Sequence, residues 1–87
     1  MIHFIDRYVG KRIRHRRRVI SQSMEALSEM VGCTWQQMHK YEVAKNRVSA
    51  SRLWRIAQAQ GVSVAYYFEG AAEALAAAKR TGVAEAA

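Results

Sequence analysis

Eighty-seven residues make one domain with a modest core. Apolar residues are 51% of the chain and charged residues 24%, a globular balance and not a disordered one. Fourteen Lys and Arg oppose seven Asp and Glu, a formal charge of +7 with a pI near 10.2, and a small domain this basic suits a polyanion, nucleic acid ahead of an anionic membrane surface. The single cysteine, Cys33, excludes an intramolecular disulfide and a multi-cysteine zinc site, and it fits a reducing cytosol. The start MIHFIDRYVG lacks the basic head and apolar stretch of a secretory signal. No apolar run nears the roughly 18 residues of a membrane span. A cytoplasmic protein is the resulting expectation.

Helical spacing dominates, and nothing calls for a sheet. After a lead-in over residues 1–4, Ile5, Val9, Ile13 and Ile20, with Tyr8 beside them, fall in steps of four and seven on one face of a first helix ending near Ile20. Half of the Lys and Arg lie between Arg7 and Arg18; off the apolar stripe they meet solvent or phosphate. Ser23 reads as the N-cap of a second helix, with Glu25 in its first turn and Leu27, Met30 and Val31 inward, stopped by Gly32. Thr34 opens a third helix as a capping box with Gln37, and Met38 and Tyr41 face inward. A loop over residues 44–48 carries Lys45, Asn46 and Arg47. Ser49 caps a fourth helix with Leu53, Trp54, Ile56 and Ala57 inward, closed by Gly61. Ser63 caps a short fifth helix with Val64, Tyr67 and Phe68 inward, ending at Gly70. The remaining 17 residues hold nine alanines, with high helix propensity and little to bury, and read as a helix to about Arg80 with a frayed end.

The run from Val9 to Phe68 resembles the phage-repressor and Cro-type helix-turn-helix domain, the XRE family. The matching pieces are Leu27 five residues before Gly32, Tyr41-Glu42 closing the third helix, and Ile56-Ala57 ahead of Gly61-Val62-Ser63. KYE followed by NRVSASRLW is similar to a group of alphaproteobacterial regulators in that family. The resemblance implies an all-α fold: a compact five-helix bundle of the lambda-repressor-like type over residues 5–70, with the Ala-rich helical tail over 71–87. It places the third helix, about 34–43, in the DNA major groove and the second across the backbone. The chain departs from the family at Met24, where a phosphate-binding Gln is frequent, at Ala44 for Gly, at Val48 for Pro and at Gln60 for a core Leu.

By position, Trp35, Gln36, Gln37, His39 and Lys40 form the base-contacting surface. A Gln amide pairs with N6 and N7 of adenine; Gln36 has no local job, while Gln37 has the capping box as an alternative. Trp35 either meets a thymine methyl or the sugar-phosphate edge, or folds back into the core. Lys40 suits phosphate or guanine, and for His39 a solvated ring is the plain alternative. Lys45, Asn46 and Arg47, joined by Arg52, are expected on phosphate, adding affinity without sequence preference. Ser23 is expected there too, beside the amides opening the second helix. The resemblance implies an ion pair between Arg17 and Glu42 that also turns Arg17 toward phosphate; spacing leaves Arg16 as the alternative. Cys33 reads as a small buried filler.

The leading reading is a sequence-specific transcriptional regulator of double-stranded DNA, repressor- or Cro-like and homodimeric through Tyr66, Tyr67, Phe68 and the tail. A second reading is a protein-partner module, such as an antitoxin or bridging subunit, on the same fold. No Ser/His/Asp grouping, glycine-rich phosphate loop, carboxylate pair or metal-ligand cluster stands out, so no enzyme, metal, cofactor or small-molecule ligand is expected.

Overall fold

A computed structural model describes residues 3–82. Helix α1 spans Phe4–Val19, α2 Met24–Val31, α3 Trp35–Glu42 and α4 Ala50–Gln60; a 3-10 turn, Val64–Phe68, precedes α5, Ala71–Arg80. His3 caps α1 by accepting the Ile5 amide on Nδ1, so the lead-in is shorter than expected. The frayed end beyond the tail helix falls partly on residues 83–87, outside the described residues. Ser23, Thr34 and Ser49 cap their helices by accepting the amides of Ala26, Gln37 and Arg52. The segment expected as a fifth α-helix is the 3-10 turn, and Ser63 makes no side-chain cap there. The Ala-rich segment supplies the fifth α-helix, packed on α1 through Ala71. Among the described residues there is no strand, and no helix is long and apolar enough to cross a membrane.

The core joins Val9 and Ile13 of α1, Leu27 and Val31 of α2, Met38 and Tyr41 of α3, Leu53, Ile56 and Ala57 of α4, and Tyr67. Four residues expected inside lie outside. Met30 is 64% exposed and Trp54 57% exposed, because each sits about 110° around its helix from the centre of the buried stripe. Ser28 takes the core position beside Leu27 by donating its hydroxyl to the Met24 carbonyl. Ile20 lies past the last turn of α1, and Phe68 follows Tyr67 by one step of a three-residue turn; both are exposed.

Gln60, where the family resemblance suggests Leu, is fully buried and fully used. Its Nε2 donates to the Ile13 carbonyl at 3.1 Å and to Gln22 Oε1 at 3.3 Å, while its Oε1 accepts the Tyr67 hydroxyl at 2.7 Å. Gln22 Nε2 reaches the Ala59 carbonyl, and Arg16 Nε donates to the carbonyl of Gln60 itself. One amide thereby ties α1, α4, the α1–α2 link and the 3-10 turn together, which is tolerable in a core only because every polar group has a partner.

Gly10 sets how closely α1 crosses α3. A Cβ there would stand 2.5 Å from the Glu42 carbonyl oxygen and 2.6 Å from that of Tyr41, both backbone atoms that cannot swing aside. Gly10→Ala therefore forces the two helices apart, and urea denaturation is expected to show a loss of about 1–3 kcal/mol or more, the range for overpacking a closed core. Burial raises the Tyr67 phenol above its ordinary pKa, with Tyr66 adding to the rise and Arg16 opposing it. A raised folded value means stability that is complete below about pH 10 and lost as pH climbs past it. The alkaline decline in melting temperature above pH 10 is expected to flatten in Tyr67→Phe, which carries no proton to lose; an unchanged decline would place its origin elsewhere.

Candidate nucleic-acid interface

The α2–turn–α3 unit is two eight-residue helices joined through Gly32, which ends α2 at φ 86°, and the half-buried free thiol of Cys33. Helix α3 buries Met38, Tyr41 and Glu42. Its remaining arc is bare: Gln36, His39 and Lys40 are exposed, Trp35 is 50% exposed, and Gln37 is half-buried. At about 100° per residue, Gln36 and Lys40 lie along the middle and far side of that arc, with Trp35 and His39 on the side of Glu42. Trp35 is outside the core. Thr34 Oγ1 takes the Gln37 amide, but the Gln37 side chain returns no bond to the cap among the described residues, so its amide is available.

The orientation of α3 is set by Arg17. Its Nε donates to Glu42 Oε2 at 2.8 Å and its Nη2 to Oε1 at 2.9 Å, while Nη1 reaches the Gln22 carbonyl at 3.3 Å. The Glu42 side chain is 2% exposed and that of Arg17 14%. The hydrogen bond to Glu42 raises the Arg17 pKa, against desolvation, with the charges of Glu42 and Glu25 adding to the rise. Arg17, not Arg16, is thus the partner of Glu42, because Arg16 is drawn to the Gln60 carbonyl. All three guanidinium nitrogens of Arg17 are engaged inside the domain, and its charge is answered by Glu42.

The residues after α3 wrap its C-terminus. Lys45 and Asn46 both donate backbone amides to the Lys40 carbonyl, and the side chains of Lys45, Asn46 and Arg47 are exposed. This path needs Ala44 at φ 61°, a left-handed conformation that favours glycine. Arg47 Nε pairs with Asp6 Oδ2 at 2.9 Å, so part of its charge is answered within the chain. Arg52, expected with this group, is half-buried, and its Nη1 donates to the Val31 carbonyl at 3.3 Å, closing the end of α2. Ser23 is exposed, and its Oγ accepts the Ala26 amide as the cap while its O–H remains a donor. Glu25 stands exposed in the first turn of α2, where an acid satisfies the helix and opposes a phosphate.

No family model matches the chain. It is 51% identical over 67 residues to a protein of Sinorhizobium medicae named an uncharacterized HTH-type transcriptional regulator, covering 77% of this chain and 48% of that one. It is 45% identical over 67 residues to a Rhodospirillum rubrum protein named an uncharacterized transcriptional regulator in the ATPase CF(0) region, covering 77% and 62%. The chain thus spans about half to three-fifths of the length of these relatives. Among solved structures, the clp gene regulator ClgR of Corynebacterium glutamicum superposes with a TM-score of 0.80 at 22% identity, over 90% of this chain and 83% of that one. The P22 c2 repressor, solved with a synthetic operator, gives 0.64 at 27% identity, over 68% and 89%. The chain carries a helix-turn-helix domain of the phage-repressor and Cro type. The fold alone does not dictate activity, since the hydroxypropylphosphonic acid epoxidase of S. wedmorenis also contains it, at a TM-score of 0.65, 21% identity and 33% of that chain.

Within this helix-turn-helix domain several structural residues carried no recognisable sequence signal: Gly10, which lets α3 approach, and Gln22, which joins the Gln60 cluster. Arg12 is a third. It lies 4.0 Å over the Tyr66 ring, donates twice to the Tyr66 carbonyl and pairs with Glu69. The Arg17–Glu42 clamp is the part whose loss reaches the candidate interface. Glu42→Ala strands a guanidinium in a nearly dry site and is expected to cost about 3–5 kcal/mol in urea denaturation, whereas the double change Arg17→Met with Glu42→Leu is expected to restore most of it. A loss under about 1 kcal/mol in the single variant would match a solvated surface pair instead.

Proposed function

We propose that this domain belongs to a DNA-binding transcriptional regulator of the bacterial cytoplasm, which lays α3 in the major groove of double-stranded DNA. The observation that carries the reading is the outer arc of α3. Its bonding groups are unspent, and a buried bidentate ion pair fixes the angle at which they are presented. Gln36 and Gln37 offer amides matched to adenine, Lys40 a cation for guanine or phosphate, and Trp35 an apolar face for a thymine methyl. His39 completes the arc. Lys45, Asn46 and Arg47 flank it and hold the backbone, with Ser23 across the groove. The relatives' names and the operator-bound c2 repressor support this assignment. Homodimerisation is part of it: two such domains read half-sites about one turn apart. Of the three aromatics first considered for that contact, Tyr67 is buried and Phe68 remains available.

The partner-module reading, placed on the Ala-rich tail by sequence, has a second surface in the groove of about 350 Å³ lined by the exposed Met30 and Trp54. Gel shifts across a salt series separate the two: a DNA-reading domain gives a steep linear fall of log affinity with log salt, and a flat response rejects it. Gln36→Ala is expected to relax preference at one or two base positions in a selection from random duplexes, by about 1–3 kcal/mol per position. Lys45→Ala, whose side chain has no partner among the described residues, is expected to weaken all sequences alike and lower the salt slope by about one.

A further inference from the structure

The sequence leaves the start of α2 poorly equipped to hold a phosphate. Met24 has no hydrogen-bonding group, Glu25 is an acid, and Ser23 offers a single hydroxyl whose oxygen also caps its own helix. The structure places something else beside Met24. An open cleft of about 240 Å³ between α1, α2 and α3 is lined by Arg14, Arg17, Met24, His39, Glu42 and Val43. Arg17 and Glu42 form its floor and satisfy one another. Arg14 and His39 form its rim from opposite helices; both are exposed, and neither has a partner among the described residues.

We propose that Arg14 and His39 form a phosphate seat for the DNA backbone at this cleft, replacing the side-chain contact that Met24 cannot make, and that His39 grips as the imidazolium. The inference rests on the DNA-binding reading and assigns His39 to the backbone and not to a base. The chemistry is that of a guanidinium and an imidazolium converging on one oxyanion, with five and two N–H donors respectively. Arg14 lines the cleft from α1 and attracts an anion, Glu42 on α3 is already neutralised by Arg17, and Lys40 is the exposed neighbour of His39 on the same helix. Because the imidazolium is the binding form, phosphate and proton are taken up together, and DNA affinity rises as pH falls through the range where histidine charges.

The test is binding of a fixed duplex by the full chain over salt and pH. Arg14→Ala is expected to lower the salt slope by about one without changing the preferred sequence. The wild type is expected to bind about threefold or more tighter at pH 6 than at pH 8, and His39→Gln, which keeps a donor but no titrating group, to lose that gain. His15→Gln, on the exposed side of α1, is expected to keep it. If Arg14→Ala retains the wild-type slope, or His39→Gln the wild-type pH response, the seat is wrong while DNA binding stands. If the wild type shows no salt-dependent affinity for any duplex, the functional reading fails and the seat with it. Titration with inorganic phosphate, followed by the His39 ring resonances, separates a free-anion site from a backbone one. Saturation at or below about 1 mM phosphate that depends on Arg14, with no change of DNA slope in Arg14→Ala, would overturn the assignment to DNA.

Discussion

Helix α1 meets α3 at Gly10, where backbone touches side-chain-free backbone, and two turns later Arg17 clamps the last residue of α3 through two short hydrogen bonds. One contact sets the distance between the helices and the other their relative rotation. Neither is forgiving. A methyl group has no room at the first, and at the second a lone charge would be stranded in a site that water barely reaches. With α3 held at both points, the arc from Trp35 to Lys40 faces outward as a rigid strip.

A second buried polar system does similar work at the far side of α1. Gln60 replaces bulk with hydrogen bonds, and the cluster it forms with Gln22, Tyr67 and the Ile13 carbonyl closes the bundle around a filled, satisfied centre. An apolar residue would fill the same space without linking four segments. The consequence for the interface is indirect: the 3-10 turn is anchored to α1 through Arg12 and the Tyr8 hydroxyl on the Glu69 carbonyl, and to α4 through the Tyr67 hydroxyl on Gln60, so the face away from α3 has its own fastening.

The charge of the chain overstates how much of it is free to act. Arg12, Arg16, Arg17 and Arg52 each direct at least one donor inside the domain, on carbonyls or carboxylates, and Arg47 shares its own with Asp6. Arg14, Arg18, Lys40 and Lys45 are exposed and carry no such bond among the described residues. Composition could indicate a polyanion as partner; it could not tell a structural arginine from a binding one, because the two differ only in what lies across from them.

That division marks what the sequence by itself determined. Helix starts were legible in Ser23, Thr34 and Ser49 and stops in Gly32 and Gly61, since capping and left-handed turns are settled within four residues of chain. The outward set on α3 was legible from its period. Which flank residues of a short helix are covered was not: Met30, Trp54 and Phe68 had the right chemistry for a core and lie outside, because coverage depends on a neighbouring helix and not on local pattern. The same holds for the partner of Glu42, where Arg16 and Arg17 were equivalent until the fold placed one against a carboxylate and the other against a carbonyl. The use of Gly10 and the cleft that joins Arg14 to His39 were likewise decided only in three dimensions, since each depends on atoms more than twenty residues away along the chain.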